Sequence, residues 1–222
     1  MTGWGLLAGI CALIFLFATP ATADLARELA WRDLAPGGDK LVDPLADLTG
    51  DQRLDLEAVA WARAAERRGE ISSVAEEYEI AVEMASELAR QGLDVDALVA
   101  KYESFHAEVD ALNRRVDDGL DGQIVRIPGY ALPLEFAGIA VKELLLVPYF
   151  GACIHVPPPP PNQMVFVTLD EPYVVNELFA PVWITGRMSV KRSTTSLAYV
   201  DGRASLETGY TLAGTEIEPY ER

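Results

Sequence analysis

Basic side chains are scarce in this chain. It carries 18 Lys+Arg against 34 Asp+Glu, a formal net charge of -16 over 222 residues. Nucleic-acid binding needs cations that neutralise phosphates, so this balance argues against nucleic acid as a partner class. Anionic lipid is disfavoured for the same reason, which leaves the membrane a role only through an N-terminal signal or anchor. Cationic partners are favoured by long-range attraction, although a soluble acidic surface is the simpler account of most of the charge. Cysteine is nearly absent too. Two copies, Cys11 and Cys153, cannot build a disulfide framework. Histidine also occurs only twice, at His106 and His155. Nothing repeats at a solenoid period.

Charge is missing altogether from Met1 to Ala23. Trp4 to Phe17 is an apolar run, shorter than the roughly 20 residues that span a bilayer as a helix. Pro20 interrupts it, Ala21-Thr22-Ala23 has the small-x-small form of a cleavage site, and Asp24 is the first charged residue. The segment reads as an export signal cut after Ala23, with a periplasmic destination. Its n-region lacks Lys and Arg, and an uncleaved N-terminal anchor is the alternative. Ile10 before Cys11 argues against a lipoprotein cut. After cleavage Cys153 stands alone.

The rest divides by pattern into an N-terminal arm and linker (24–50), a helical segment (51–118) and a β domain (119–222). In the arm, Trp31 and Leu34 read as apolar anchors, and Pro36-Gly37-Gly38 and Pro44 as loop punctuation. Asp51 to Arg68 is rich in Ala, Leu, Glu and Arg and stops at Gly69. Ser73-Val-Ala-Glu76 has the form of a capping box opening a second helix, which Gly92 ends. Asp94 caps a third. Its apolar rhythm runs through Leu98, Tyr102, Phe105, Val109, Leu112 and Val116. The short Gly92-Leu93 connection makes the second and third helices an antiparallel hairpin. Their acidic outer faces read as solvated surface, and His106 as a boundary histidine.

After Gly119 the period changes to two. Strands are expected at 123–134, bent at Pro128-Gly129, then at 143–147, 164–168, 182–190 and 206–216. Five short strands with Gly bends suggest a small closed barrel, and an open sheet packed on the helices is the alternative. The fold class is therefore α+β: an antiparallel helical hairpin followed by a five-stranded OB-like β-barrel.

Several motifs carry a resemblance. They are Gly122-x-x-Val125-x-Ile127-Pro-Gly-Tyr130-x-x-Pro133-Leu-Glu135, then Val147-Pro-Tyr149-Phe-Gly-Ala-Cys153-Ile-His155, five prolines (Pro157 to Pro161) and Asn162-Gln163. Val182-Trp183-x-x-Gly186, Ala213 and the arm motif Leu29-x-Trp31-x-x-Leu34-x-Pro36 continue the pattern. Together they resemble an exported bacterial domain-of-unknown-function family, over Leu29–Pro36 and Gly119–Tyr220. The helical hairpin departs from that family's pattern. The resemblance implies export and, for some members, a setting near ABC-transport genes. It also extends distantly to OB-like exported domains with a Cys on the connection after a strand.

The loop from Pro148 to Gln163 holds the chemistry. Cys153 and His155 stand at i and i+2, on one side of an extended segment. Thiolate and imidazole are donors for zinc or copper, and the proline run stiffens the second half of the loop. Two ligands are not a site. Further donors would come from His106, Glu135, Asp170 or Glu171. A lone thiol beside a His is also the beginning of a thiol-dependent enzyme, but no third catalytic group is visible. A structural reading has Cys153 buried and the proline run serving as a stiff docking crossover.

These readings converge on a periplasmic, non-catalytic binding or accessory protein. It presents the loop to an envelope partner, of which an ABC-transport component is one candidate. Tyr149, Phe150, Asn162 and Gln163 are the expected partner-binding residues. A zinc- or copper-binding protein using Cys153 and His155 is the second reading and a thiol-dependent enzyme the third. The export reading has a direct check: intact mass of the exported protein is expected to give Asp24 as the first residue, and a mass retaining Met1 overturns it.

Overall fold

The structure is a computed structural model that describes residues 25–37, 41–134, 140–153, 157–174, 179–199 and 202–220. The export segment and the Ala23 cut lie outside these residues. The fold is α+β, a helical segment followed by a small closed barrel.

Three helices form the segment. α1 (Gly50–Arg67) starts at Thr49, whose hydroxyl accepts from the Gln52 N–H while the Gln52 side chain returns a bond to the Thr49 N–H. α2 spans Glu76–Arg90 and α3 Val95–Asn113. Gly69 and Gly92 take positive φ where the sequence places helix stops. The Asp94 carboxylate accepts from Ala97 N–H, as an N-cap should. Two expectations are corrected. Ser73 does not open α2: Ala75 is the N-cap and makes no side-chain bond, because residues 72–75 close as a turn, Ala75 N–H to Ser72 O. α3 stops at Asn113, so Val116 leaves the helical seam and packs against the barrel interior instead. α1 is the centre of the segment and packs on both α2 and α3, which make little contact with each other. Leu56, Val59, Ala60, Ala62, Ala81, Leu88, Val95 and Val99 form its core.

The barrel has five strands: β2 (Ile124–Pro133), β3 (Ala140–Val147), β4 (Val165–Val174), β5 (Ala180–Ser189) and β8 (Tyr210–Pro219). Neighbours run β2-β3-β4-β8-β5, and β5 returns to β2 over 180–187. All pairs are antiparallel except β4 with β8. The first three strands form a meander, the fourth closes on the first, and the fifth lies parallel to the third. This is OB connectivity. β1 (Arg27–Glu28), in the arm, adds in parallel to β2 at Val125 and Arg126. Closure is tight at Gly186, where a Cβ would lie 2.2 Å from the Ala213 carbonyl oxygen. A further hairpin, β6 (Ser193–Tyr199) with β7 (Gly202–Thr208), separates β5 from β8. Where the pattern from Leu206 to Glu216 predicts one strand, the structure has two, the end of β7 and most of β8. Ser, Thr and Gly obscure the alternation there, and the chain in fact turns at Gly209.

Alternation decides what each strand buries. Val125, Ile127, Leu144, Leu146, Val165, Val167, Val182, Ile184, Tyr210 and Leu212 fill the barrel interior. The opposite faces of β2, β3 and β4 are apolar as well: Leu132, Leu145, Val147 and Met164 form a second core on the outside of the barrel. Leu144 to Val147 are therefore all buried, both faces of β3 being covered.

One side chain ties arm, helices and barrel. The buried Tyr210 hydroxyl donates to Leu34 O at 2.6 Å and accepts from Asp117 N–H at 2.6 Å. Tyr210→Phe leaves a buried carbonyl without its donor and a part-buried N–H without its acceptor. The expected cost is about 1–3 kcal/mol, read as a lower urea midpoint at unchanged m. An unchanged midpoint would remove the hydroxyl from the account.

Candidate functional site

Pro148 to Gln163 lie between β3 and β4, and the described stretch Pro148–Cys153 folds back over the outer face of β2–β3–β4. The turn needs two left-handed residues, Gly151 at φ 80° and Cys153 at φ 70°. For a non-glycine residue that conformation costs about 1–3 kcal/mol, sustained only where packing enforces it. The packing is present. Ala152 and Cys153 join Leu132, Leu145, Val147, Met164, Phe179 and Leu206 in the outer core, and Cys153 is 5% exposed. Burial pushes its thiol up to about 11. At neutral pH it is a protonated, enclosed SH group, poorly suited to attack a substrate or to offer a thiolate.

His155 and Glu135 lie outside the described residues, so the Cys153–His155 pairing is not on view. His106 is exposed on α3 and rests against the Tyr102 ring at 4.2 Å, while Asp170 and Glu171 lie on β4. Among the described residues no group of three or more His, Cys, Asp or Glu side chains is arranged to hold a metal ion.

The four residues expected to meet a partner separate into two pairs. Asn162 is 4% exposed, and its amide NH2 donates to Leu112 O and Arg115 O, both at 3.0 Å. It thereby adds a second donor to Leu112 O, which also accepts from Arg115 N–H, and supplies one to Arg115 O just past the end of α3. Gln163 donates to Trp31 O at 3.0 Å, and Pro161 O accepts from Gly209 N–H at 2.7 Å. The Asn-Gln end of the loop is thus an internal joint. Tyr149 and Phe150 are different, at 42% and 64% exposed. The Tyr149 hydroxyl donates across the base of the turn to Pro157 O at 3.3 Å. The Phe150 ring meets Tyr130 edge-on at 6.1 Å and Phe179 at 5.2 Å.

Beside this turn is a shallow depression of about 270 Å³ lined by Trp31, Pro128, Gly129, Tyr130, Pro148, Pro181 and Tyr220. The Trp31 indole N–H is committed to Pro128 O at 2.8 Å, which fixes the ring against the barrel. Next to it Trp183 stacks against Tyr220 at 5.5 Å, and the Arg126 guanidinium lies 4.1 Å over the Trp183 ring. Arg126 also faces Glu218 at 3.1 Å and Glu28 at 3.7 Å, one cation between two carboxylates. The sequence reading saw Trp31 as an anchor but missed the depression. Its walls come from five separated stretches that only barrel closure brings together.

Fold and face together define an OB-like barrel with a helical segment, whose β2–β3–β4 outer face is covered by its own loop and whose exposed aromatic groups lie beside it. The chain belongs to the family described as "Protein of unknown function (DUF3299)", which it matches over residues 31–219. That match runs through the helical segment as well as the arm and barrel, so the helices are not a departure from the family. Among solved structures, the chain is similar to a DUF3299 family protein from Pseudomonas aeruginosa PAO1. Identity is 27% over 89% of this chain and 97% of that one, with a TM-score of 0.47. No curated protein matches.

Burial of Cys153 sets a pH dependence. The folded thiol titrates at about 11 against an ordinary 9.0, so above pH 9 the unfolded chain gives up its proton first. Stability from this group is complete below 9.0 and is lost as pH rises toward 11. Iodoacetamide is expected to leave the folded protein unmodified at pH 8 and to alkylate it after denaturation. Alkylation of the folded chain at a free-thiol rate would overturn the enclosure.

Proposed function

We propose that this protein is an exported, periplasmic binding or accessory protein without catalytic activity. It engages an envelope protein through the Tyr149–Phe150 turn and the aromatic depression beside it. The observation that carries this reading is Phe150, a large apolar side chain left 64% exposed on a loop whose other end is pinned by Asn162 and Gln163. Aromatic groups held rigidly at a surface supply contact area at small entropic cost, and they are frequent anchors of protein interfaces. Next to the depression Glu28 and Glu218 flank Arg126, which leaves one net negative charge there, and the whole chain carries -16. The partner suited to this face is a protein segment with an apolar anchor in a basic setting. The family resemblance makes a component of an ABC transporter the first to try.

A photo-reactive residue at position 150 tests the contact in the native envelope, with one at position 101 on α3 as control. One discrete adduct is expected from position 150 and not from 101. The adduct partner, once purified, should bind the intact chain and bind Phe150→Ala at least about tenfold more weakly. Equal adducts from both positions, or equal affinity for Phe150→Ala, would remove the reading.

A further inference from the structure

A different face carries an inference beyond the barrel site. α2 and α3 both pack on α1 but scarcely on each other. Between α2 and the start of α3 they leave an open groove of about 450 Å³. Its α2 wall is one helical face, Tyr78, Ala81, Val82, Ala85, Ser86 and Ala89. Small side chains at 81, 85, 86 and 89 would let another helix approach closely. Val82 stands 52% exposed on this wall.

Charge identifies the occupant. α2 carries Glu76, Glu77, Glu79, Glu83 and Glu87, with no Lys or Arg before Arg90. Arg90 pairs with Glu87 at 2.6 Å, and among the described residues Glu76, Glu77, Glu79 and Glu83 have no ion-pair partner. The helix dipole favours acids in the first turn, but Glu83 lies beyond it. Across the groove stand Asp94 and Asp96, of which Asp96 is matched by Arg63 at 2.8 Å. A surface helix usually mixes the two signs at i and i+4. Here Glu79 and Glu83, at i and i+4, follow the flank of the α2 wall beside Val82 and Ser86 and keep a single sign there, while the groove's own cation, Arg63, is engaged by Asp96.

We propose that the groove between α2 and the start of α3 receives a cationic amphipathic helix of a partner protein. Residues 78–89 extend about 17 Å at 1.5 Å per residue, the length of about three helical turns. The arriving helix lays an apolar stripe on Ala81, Val82 and Ala85 and turns Lys or Arg toward Glu79 and Glu83. An acidic helix meets repulsion on the same rim.

The test uses the full mature chain and a fluorescein-labelled Leu/Lys peptide of about 14 residues with a single apolar face, followed by anisotropy. One comparison peptide has the same composition scrambled so that no face forms. Another replaces Lys with Glu. The ordered Leu/Lys peptide should bind at least about tenfold more tightly than either. Glu79→Lys combined with Glu83→Lys, and separately Val82→Asn, should each weaken it about tenfold. All three substitutions are at exposed positions, and far-UV circular dichroism checks that the helices persist. Phe150→Ala should bind the peptide as the unaltered chain does, which keeps this outcome separate from that of the barrel face. Equal binding of the scrambled peptide, or variants that bind unchanged, would overturn the proposal.

Discussion

The buried amide of Asn162 is the constraint on which the arrangement rests. Its two N–H groups meet the Leu112 carbonyl in the last turn of α3 and the Arg115 carbonyl just beyond it, while Gln163 next to it holds the arm at Trp31. A helix end left without partners in a buried setting forfeits about 1–3 kcal/mol for each orphaned group. These bonds fix where the proline run ends, hence where β4 begins and how the loop lies across the barrel. Proline supplies the complementary property. Residues 157–161 donate no backbone hydrogen bonds, so they can cross a surface without needing acceptors along it, and the polar work is left to the two amides beyond them.

The loop has a consequence for the barrel. In OB domains the outer face of the second and third strands receives oligonucleotides or oligosaccharides. Here the corresponding strands are β3 and β4. Leu145 and Val147 of β3 and the neighbouring Met164 are covered by Ala152, Cys153, Phe179 and Leu206. Either ligand would have to displace a packed apolar layer, and an oligonucleotide would then meet a chain of charge -16. The groups the cover leaves exposed are Tyr149, Phe150 and the depression beyond Tyr130, and the proposed partner contact rests on them.

Legibility in the sequence followed the physics of each signal. Helix stops at Gly69 and Gly92 and the Asp94 cap were readable because they depend on local backbone geometry. β2, β4 and β5 were readable by period two and β3 as a continuous apolar run covered on both faces, whereas β8 was legible only as part of a longer strand merged with β7. The Ser73 capping box failed because the same spacing is satisfied by a turn in which Ser72 competes for the backbone. The β6–β7 hairpin was missed because Ser and Thr on an arm outside the interior leave little apolar alternation. In the loop, residue type alone could not say which side chains turn inward. Asn162 and Phe150 have opposite polarity and opposite fates, the amide buried against a helix end and the phenyl ring in water. Only the tertiary position of α3 decides that.

Tyr210 has one further implication. The carbonyl of Leu34, just before the linker to the helices, and the N–H of Asp117, just after them, lie within 2.6 Å of the same phenolic oxygen. The entire excursion through α1, α2 and α3 thus leaves and re-enters the barrel at one point, and its hydrocarbon core is its own. Strain or loosening within such a segment is confined to its own core, and the strand order beneath it stays as it is.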